Sequence, residues 1–411
     1  MRTMNNELVK PIVYSYGTPA YILDLAKFNQ NYHELHSEYK KIYDKFEIAY
    51  SFKTNYTPVI CKSVLQMGGM AEVVSEMEYR LAKTYGFPPE RIMVNGPGKW
   101  SGLEEMTSDA TNIMLDNEYE LDRVLDLSNK TDKRVKIGFR LNYSLSNGKK
   151  SRFGFDVGNC ELEKSVDKAR NNKNIEIIGI HYHLSGARSV ESWIERANSM
   201  IEFAHRFFEP EEIQVIDLGS GMFGHMHPAF ASQFDQSIPS FRDYAVAVAG
   251  IFQNQYGHMP NELRPTLIVE PGTTVVANTM RYATKVIAEK SIRGKNIAIV
   301  DGSVHQLGEI GRKKRLPIEV VYSAKRTDRK EHVALTGYTC LEDDILCADL
   351  EIPAGVGDVI IFENTGAYTN VLKPPFIQPG CKIVAINEEG RSILAKRDES
   401  FEDIITSYNL E

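Results

Sequence analysis

The feature that most limits what this chain can fold into is a series of short apolar segments, each closed by glycine, a polar residue or a charged one. The series reads "FEIAYSFK", "MAEVVS", "RIMVNGPG", "NIMLD", "RVKIGFRLN", "IEIIGIHYHLSG", "IQVIDLGSG" and "TLIVEPG", spread over residues 46–272. Between them lie amphipathic stretches such as "EMEYRLAKTYG" and "NEYELDRVLDLS", with apolar residues at helical spacing. Eight strand–helix units over this length predict a (β/α)8 barrel. Beyond about residue 279 the texture changes. "ATKVIAEKSI", "NIAIVDG", "IEVVYSAK", "EHVALTG", "DLEIPAG", "GDVIIFEN" and "CKIVAINEEG" are short strands parted by turn residues, with few helical patterns. They predict an antiparallel β domain. The expected organisation is α/β: a barrel over 29–278, and a second domain built from 279–411 with the leader 1–28, which carries the strand "TPAYILDL".

A chain of 411 residues is long enough for two such cores. Its formal net charge of −7 gives no electrostatic reason to expect nucleic acid or an anionic membrane as a partner. The basic run "GRKKR" (311–315) is expected to be a solvated loop. Five cysteines at wide spacings, an odd number, argue for reduced thiols in a cytoplasm rather than a disulfide framework. The N-terminus lacks the apolar run of a signal peptide, and no apolar segment is long enough to span a bilayer. The histidines show no metal-ligand spacing, so no metal is expected.

In such a barrel the active site lies at the carboxyl ends of the strands. Those ends carry Lys53, Glu72, Asn95, Arg140, His181, His183, the "LGSG" glycines and Glu270. Each has an ordinary structural explanation alone; a strand-end lysine commonly packs its stem and leaves its ammonium in water. Together they suit one cofactor. A lysine amine can condense with an aldehyde. The turn Gly219-Ser220-Gly221 can bring backbone N–H groups against a phosphate without Cβ obstruction. Glu270 can hold a pyridine nitrogen protonated, and the flat ring of His183 can stack on the pyridine. Lysine, phosphate cradle, carboxylate and ring platform describe pyridoxal 5′-phosphate.

With these residues in view, the sequence resembles the PLP-dependent decarboxylases of the alanine-racemase fold (fold type III), most closely the diaminopimelate and ornithine decarboxylase group. "YSFKTN" (50–55) is similar to that family's "YALKAN", and "AEVVSEMEYRLAKTYGFPPERIMVNGPGK" (71–99) to its "ADVVSxGELxxAxxxGxPPExIxxxGxxK". "SRFG" (151–154) and "GAY" (366–368) match family segments, and "GIHYHLSG" (179–186) resembles "GLHxHIGS". "DLGSG" (217–221) resembles the family's glycine loop, "VEPGT" (269–273) its "xEPGR", and "CLEDD" (340–344) its "CExxD". The resemblance implies that Lys53 carries the cofactor aldehyde, His183 stacks on its ring, and Glu270 pairs with its nitrogen. Arg140 and Glu72 would lie near the cofactor, and Gly219, Ser220, Gly221, the amides near Gly272 and the Tyr368 hydroxyl would hold its phosphate. It also implies that Cys340 protonates the carbanion left by CO2 loss. Cys340 and Asp344 would reach into a partner subunit's site, making the enzyme a homodimer with shared active sites.

Three departures from the family pattern bear on the substrate. The arginine of "EPGR" is Thr273, the acidic residue after the cysteine is Leu341, and "HIGS" has become "HLSG". A milder change puts Glu72 where the family has aspartate. Leucine removes the charge-assisted hydrogen bond that a distal ammonium would receive, unless Glu342 or Asp343 takes its place. Arg312, Lys313, Lys314 and Arg315 stand near a family segment that holds a distal carboxylate. The expected substrate is therefore an amino acid, or an amino-acid conjugate with a substituted or carboxylated far end, of the kind used in siderophore and antibiotic pathways. The alternatives are a standard diaminopimelate decarboxylase, an amino-acid racemase on the same fold, and an inactive regulatory homologue.

Overall fold

All eight expected strands form, and they close on themselves. They are β1 (Phe46–Ser51), β2 (Met70–Ser75), β3 (Ile92–Gly98), β4 (Asn112–Leu115), β5 (Val135–Asn142), β6 (Ile175–His181), β7 (Val215–Asp217) and β8 (Thr266–Val269). Every neighbouring pair is parallel, the order follows the sequence, and β8 returns to β1 with Leu267 opposite Phe46. The computed structural model describes residues 6–324, 328–372 and 375–409. Ala49, Met93, Met114, Ile178 and Ile268, from five different strands, pack as one buried cluster. Gly138 is part of that fit, since a Cβ there would stand 2.3 Å from the Met114 sulfur.

The helices between strands start where the sequence supplies a cap. Ser75 accepts from the Glu78 N–H at the head of Glu76–Tyr85, which ends on Gly86 at φ +99°. Asn117 does the same for Glu118–Ser128, and Ser240 with Asp243 forms a capping box on Phe241–Tyr256. A fully buried ion pair joins Lys99, just after β3, to Glu120 on the helix after β4 at 2.6 Å. Lys99 also donates to the Gly96 carbonyl, and Glu120 accepts from the Asp116 amide.

The chain divides into two compact units. The barrel unit comprises Tyr32–Gly224 and Gln236–Thr274; the other comprises residues up to Asn31, His225–Asp235 and everything from Val275. The second unit contains a nine-stranded sheet with Ala20–Asp24 in it, paired antiparallel to Met280–Ile292. The sheet is antiparallel as expected, apart from two parallel pairings. Ala20–Asp24 runs parallel to Lys382–Ile386, and Lys295–Val300 parallel to Val333–Thr336. Neither pair is joined by a hairpin, so no tight turn imposes the antiparallel sense.

Two expectations change. The leader contains a helix, Asn6–Tyr16, whose Val9 and Ile12 are buried against Ile22, Ala283 and Val384. Its apolar pattern covers only about two turns and includes Pro11, which is why it reads as a polar leader; residues 1–5 of that leader lie outside the described part. The basic run is not simply a loop: Gly308–Lys313 is helical, Arg312 meets His305, and Lys313 pairs with Glu309. Lys314 and Arg315 donate to the carbonyls of Gln233 and Asp349.

The Lys99–Glu120 pair supplies a direct test of barrel packing. Lys99→Met leaves a buried carboxylate without its counter-charge and should cost about 3–5 kcal/mol. Replacing both partners, Lys99→Met with Glu120→Leu, should recover most of that loss. Urea unfolding of the three proteins measures the difference.

Candidate active site

The rim at the carboxyl ends of the strands is lined by charged and polar side chains that the closed barrel forces together. Lys53 follows β1 in a single 3-10 turn, Phe52–Thr54. Its amine is ion-paired with the fully buried carboxylate of Glu72, which also accepts from Ser51 Oγ at 2.6 Å. The cause is register: Ser51 and Glu72 are direct partners across β1 and β2. Burial pushes the Glu72 carboxyl up from its ordinary 4.5 to about 7, against the opposing pull of Lys53. Its other oxygen, Oε1, has no hydrogen-bond partner among the described residues.

Glu270 follows β8 and is buried. Asn95 Nδ2, from β3, donates to its Oε1 at 2.5 Å, and His181 Nε2, from the end of β6, lies 3.4 Å from its Oε2. Burial works against its charge, but the His181 contact and the Lys53 charge outweigh burial and hold the carboxyl well below the ordinary range. Burial pushes His181 the other way for its type, down toward the neutral ring. His183 is half-buried; its Nδ1 accepts from the Ser220 N–H at 3.1 Å and its Nε2 lies 3.3 Å from Ser185 Oγ. Burial, and then the Lys53 charge, push its ring well below its usual range, so it presents a neutral face. Arg140 is buried, with its guanidinium 4.6 Å from the Phe153 ring centre and a 3.4 Å contact to the His183 carbonyl.

The glycine loop is as tight as expected. Gly219 sits at φ +64°, and a Cβ there would come within 2.5 Å of the Tyr182 carbonyl and 2.8 Å of His183. Its amides are not equally engaged. The Gly219 N–H donates to Asp217 Oδ1 within the loop and the Ser220 N–H to His183 Nδ1 outside it. The amides of Gly221 and Gly272 make no hydrogen bond among the described residues. Gly272 is also packed too closely for a side chain, since a Cβ would stand 2.0 Å from Thr54 Oγ1. Thr273, half-buried, begins the short helix that follows.

Two residues of this site went unrecognised in the sequence. Arg196 is fully buried and donates to the carbonyls of Leu218, Ser220 and Leu184, holding the glycine loop from beneath. It stacks on Trp193, and the available signal was a lone cation on the apolar face Trp193, Ala197, Met200, Ile201 and Ala204. Asp217 is the other; it stood inside "DLGSG" but only the glycines drew attention.

The remaining expected residues belong to the second unit. Cys340, Leu341 and Arg315 are exposed and Tyr368 is half-buried, at φ +55°. Asp344 is engaged by its own chain. Its carboxylate is buried and accepts from Ser303 Oγ, the Val304 and Thr339 amides and Thr339 Oγ1. Its four donors tie down the loop that carries Cys340.

The barrel residues fit pyridoxal phosphate on grounds of their own: an amine beside a proton acceptor, a fixed buried carboxylate, a neutral ring and unspent amides where no Cβ could stand. The profile of "Pyridoxal-dependent decarboxylase, pyridoxal binding domain" matches residues 27–277. The diaminopimelate decarboxylase of Aquifex aeolicus is 26% identical over 97% of this chain and 93% of its own. An L-glutamyl-[BtrI acyl-carrier protein] decarboxylase of Niallia circulans is also 26% identical, over 95% of this chain and 94% of its own. A crystal structure of the diaminopimelate decarboxylase from M. jannaschi superposes with a TM-score of 0.85 at 21% identity, covering 98% of this chain and 94% of that one.

The Glu72 environment predicts a pH dependence. Because its folded-state value is raised to about 7, the folded protein holds a proton there that the unfolded chain releases above about 4.5. The stability contribution is complete below that value and is lost as pH rises through about 7. Cofactor-free protein should therefore show a falling denaturation midpoint between these pH values, and Glu72→Gln should flatten that segment of the curve.

Proposed function

Since this chain belongs to the pyridoxal-dependent decarboxylases, we propose that it removes the α-carboxylate from an amino acid whose far end is substituted or carries a carboxylate. Bound pyridoxal phosphate supplies the electron sink for the pair released as CO2 departs. The chain's own residues then divide the remaining work. Lys53 carries the cofactor aldehyde, and Glu72 receives or returns a proton at its Nζ. Glu270 meets the pyridine nitrogen and His183 the ring face. The amides of Gly221 and Gly272, with Ser220 Oγ and the Tyr368 hydroxyl, hold the phosphate, while Arg140 supports the ring. Cys340 returns a proton to Cα.

The observation that carries the substrate proposal is Leu341. It is 40% exposed on the loop that carries Cys340, at the position where relatives place an acid. With Asp344 occupied by four donors, a distal ammonium would find no carboxylate there except Glu342 or Asp343, which are exposed. Thr273 leaves space where an arginine would project, and exposed Arg315, which also donates to the Asp349 carbonyl, is the cation proposed for an acidic far end. The Niallia relative, whose name gives it a glutamyl group on a carrier protein, supports this reading. The Aquifex relative favours the second reading, a standard diaminopimelate decarboxylase.

CO2 release from a panel of free and substituted amino acids tests the choice. A charged hydrogen bond is worth roughly 1.5–3 kcal/mol, about ten- to a hundredfold in specificity. The panel should favour N-acylated or carboxylated diamino acids over free lysine, ornithine and diaminopimelate by that order, and Leu341→Glu should narrow the gap. A preference for free diaminopimelate selects the second reading. Borohydride should fix the cofactor on Lys53, and Lys53→Ala should abolish turnover.

The proposal includes a homodimer whose sites take Lys53 from one subunit and Cys340 from the other. Mixing Lys53→Ala with Cys340→Ala protein should then restore up to about a quarter of full activity, because half the reassorted dimers have one intact site. Absence of recovery after demonstrated subunit exchange excludes sharing.

A further inference from the structure

Beside Glu270 the barrel buries a second carboxyl. Asp217 ends β7, next to β8, and the two strands are registered with Ile268 opposite Asp217. The Glu270 amide donates to the Gly219 carbonyl, which draws the two strand ends together. Asp217 is completely buried, and its carboxyl, the Glu270 carboxyl and the His181 ring offer atoms that all lie within 4.8 Å of one another. Two carboxylates this close in a dry environment disfavour double ionisation, which raises the proton affinity of one of the pair.

The donors around them decide which carboxyl that is. Glu270 faces the Asn95 amide on one oxygen and His181 Nε2 on the other. Asp217 has one donor, the Gly219 N–H on Oδ1, and its Oδ2 has none among the described residues. Of the charged groups nearby, Lys53 is paired with Glu72, and Glu72 itself adds repulsion on Asp217. Arg140 contributes attraction, but its nearest carboxylate is Asp116, at 4.0 Å. A bare buried oxygen beside an anion is the costliest arrangement for an ionised group and the natural one for an O–H donor. Burial and the Glu270 charge accordingly raise the Asp217 carboxyl well above the ordinary range.

We infer that Asp217 is a positioning residue: as a neutral acid it donates a hydrogen bond to Glu270 and fixes that carboxylate, as the sole anion of the pair, for the cofactor's pyridine nitrogen. The functional half of this inference rests on the role proposed for Glu270. The arrangement explains why an acid, and not an apolar residue, stands at a fully buried position. It accepts from the glycine loop with one oxygen and donates to Glu270 with the other, so the phosphate-side loop and the nitrogen-side carboxylate are set by one side chain.

Asp217→Asn preserves both bonds, with its amide oxygen on Gly219 and its NH2 on Glu270, while removing the titrating proton. The infrared spectrum of cofactor-free protein at pH 8, above the range in which Glu72 ionises, should show a protonated-carboxyl carbonyl band that is missing from Asp217→Asn. The cofactor dissociation constant of Asp217→Asn should stay within about threefold of wild type, whereas Asp217→Ala should weaken binding tenfold or more. No difference band, or an asparagine variant as weak as the alanine variant, would overturn the assignment. An asparagine variant that fails to fold also counts against it, because a neutral isostere should be tolerated where the acid is neutral. Glu270→Gln separates the two levels of the reading. If it binds cofactor with unchanged affinity and spectrum, Glu270 is not the nitrogen's partner, and the infrared band still reports on the carboxyl pair by itself.

Discussion

The buried negative charge of Glu270 is the constraint on which the rest of the barrel rim depends. An isolated carboxylate at that depth would cost several kcal/mol in lost hydration. Here Asn95 and His181 meet it from two other strands. Neither donor is near it in the chain, and neither could serve it in an open sheet. Closure of the strand order from β8 back to β1 makes the arrangement affordable, since it brings β3, β6 and β8 around one axis. The charge is thus sustained by topology and not by any local sequence feature.

Around that charge the rim is organised as two coupled proton holders. Lys53, Ser51 and Glu72 form one, in which the amine faces a carboxyl of raised proton affinity. Glu270, Asp217 and His181 form the other. The two differ in what their surroundings permit. Glu72 keeps one oxygen unpartnered and titrates near neutrality, whereas Glu270 has both oxygens engaged and stays ionised. Environments that push like groups apart are how a single site assigns distinct tasks to chemically similar side chains.

Rigidity comes from below the rim. Arg196 spends its guanidinium on three backbone carbonyls, two of them in the glycine loop, and Trp193 covers one of its faces. A glycine loop gains close backbone approach at the expense of conformational entropy. The buried cation offsets that loss by tying the loop to the long helix Val190–Phe207. Asp344 does the equivalent for the loop bearing Cys340, where one carboxylate collects four donors.

How much of this was legible in the sequence follows from the range of the forces involved. Strand and helix periodicities are local, so the barrel and its eight strands could be read from apolar spacing. Side chains at strand ends were legible as well, because a parallel barrel sends every strand end to one rim; Lys53, Glu72, Asn95, Arg140, His181, His183 and Glu270 could be listed together for that reason. Their pairing was not. Which donor meets which carboxylate depends on register across the closed sheet, as does the sharing of a buried environment by Asp217 and Glu270. The backbone-binding of Arg196 and Asp344 was hidden for the same cause: a charge in a sequence gives no sign of the backbone groups that the fold will set around it. The parallel pairing of Ala20–Asp24 with Lys382–Ile386 joins segments some 360 residues apart, and no periodicity reaches that far. The sequence by itself determined which chemistry the rim could hold, because residue types and strand ends are local properties. The tertiary structure alone decided which groups are charged, which are spent on the backbone and which remain available, because desolvation and hydrogen bonding depend on neighbours that only the closed fold supplies.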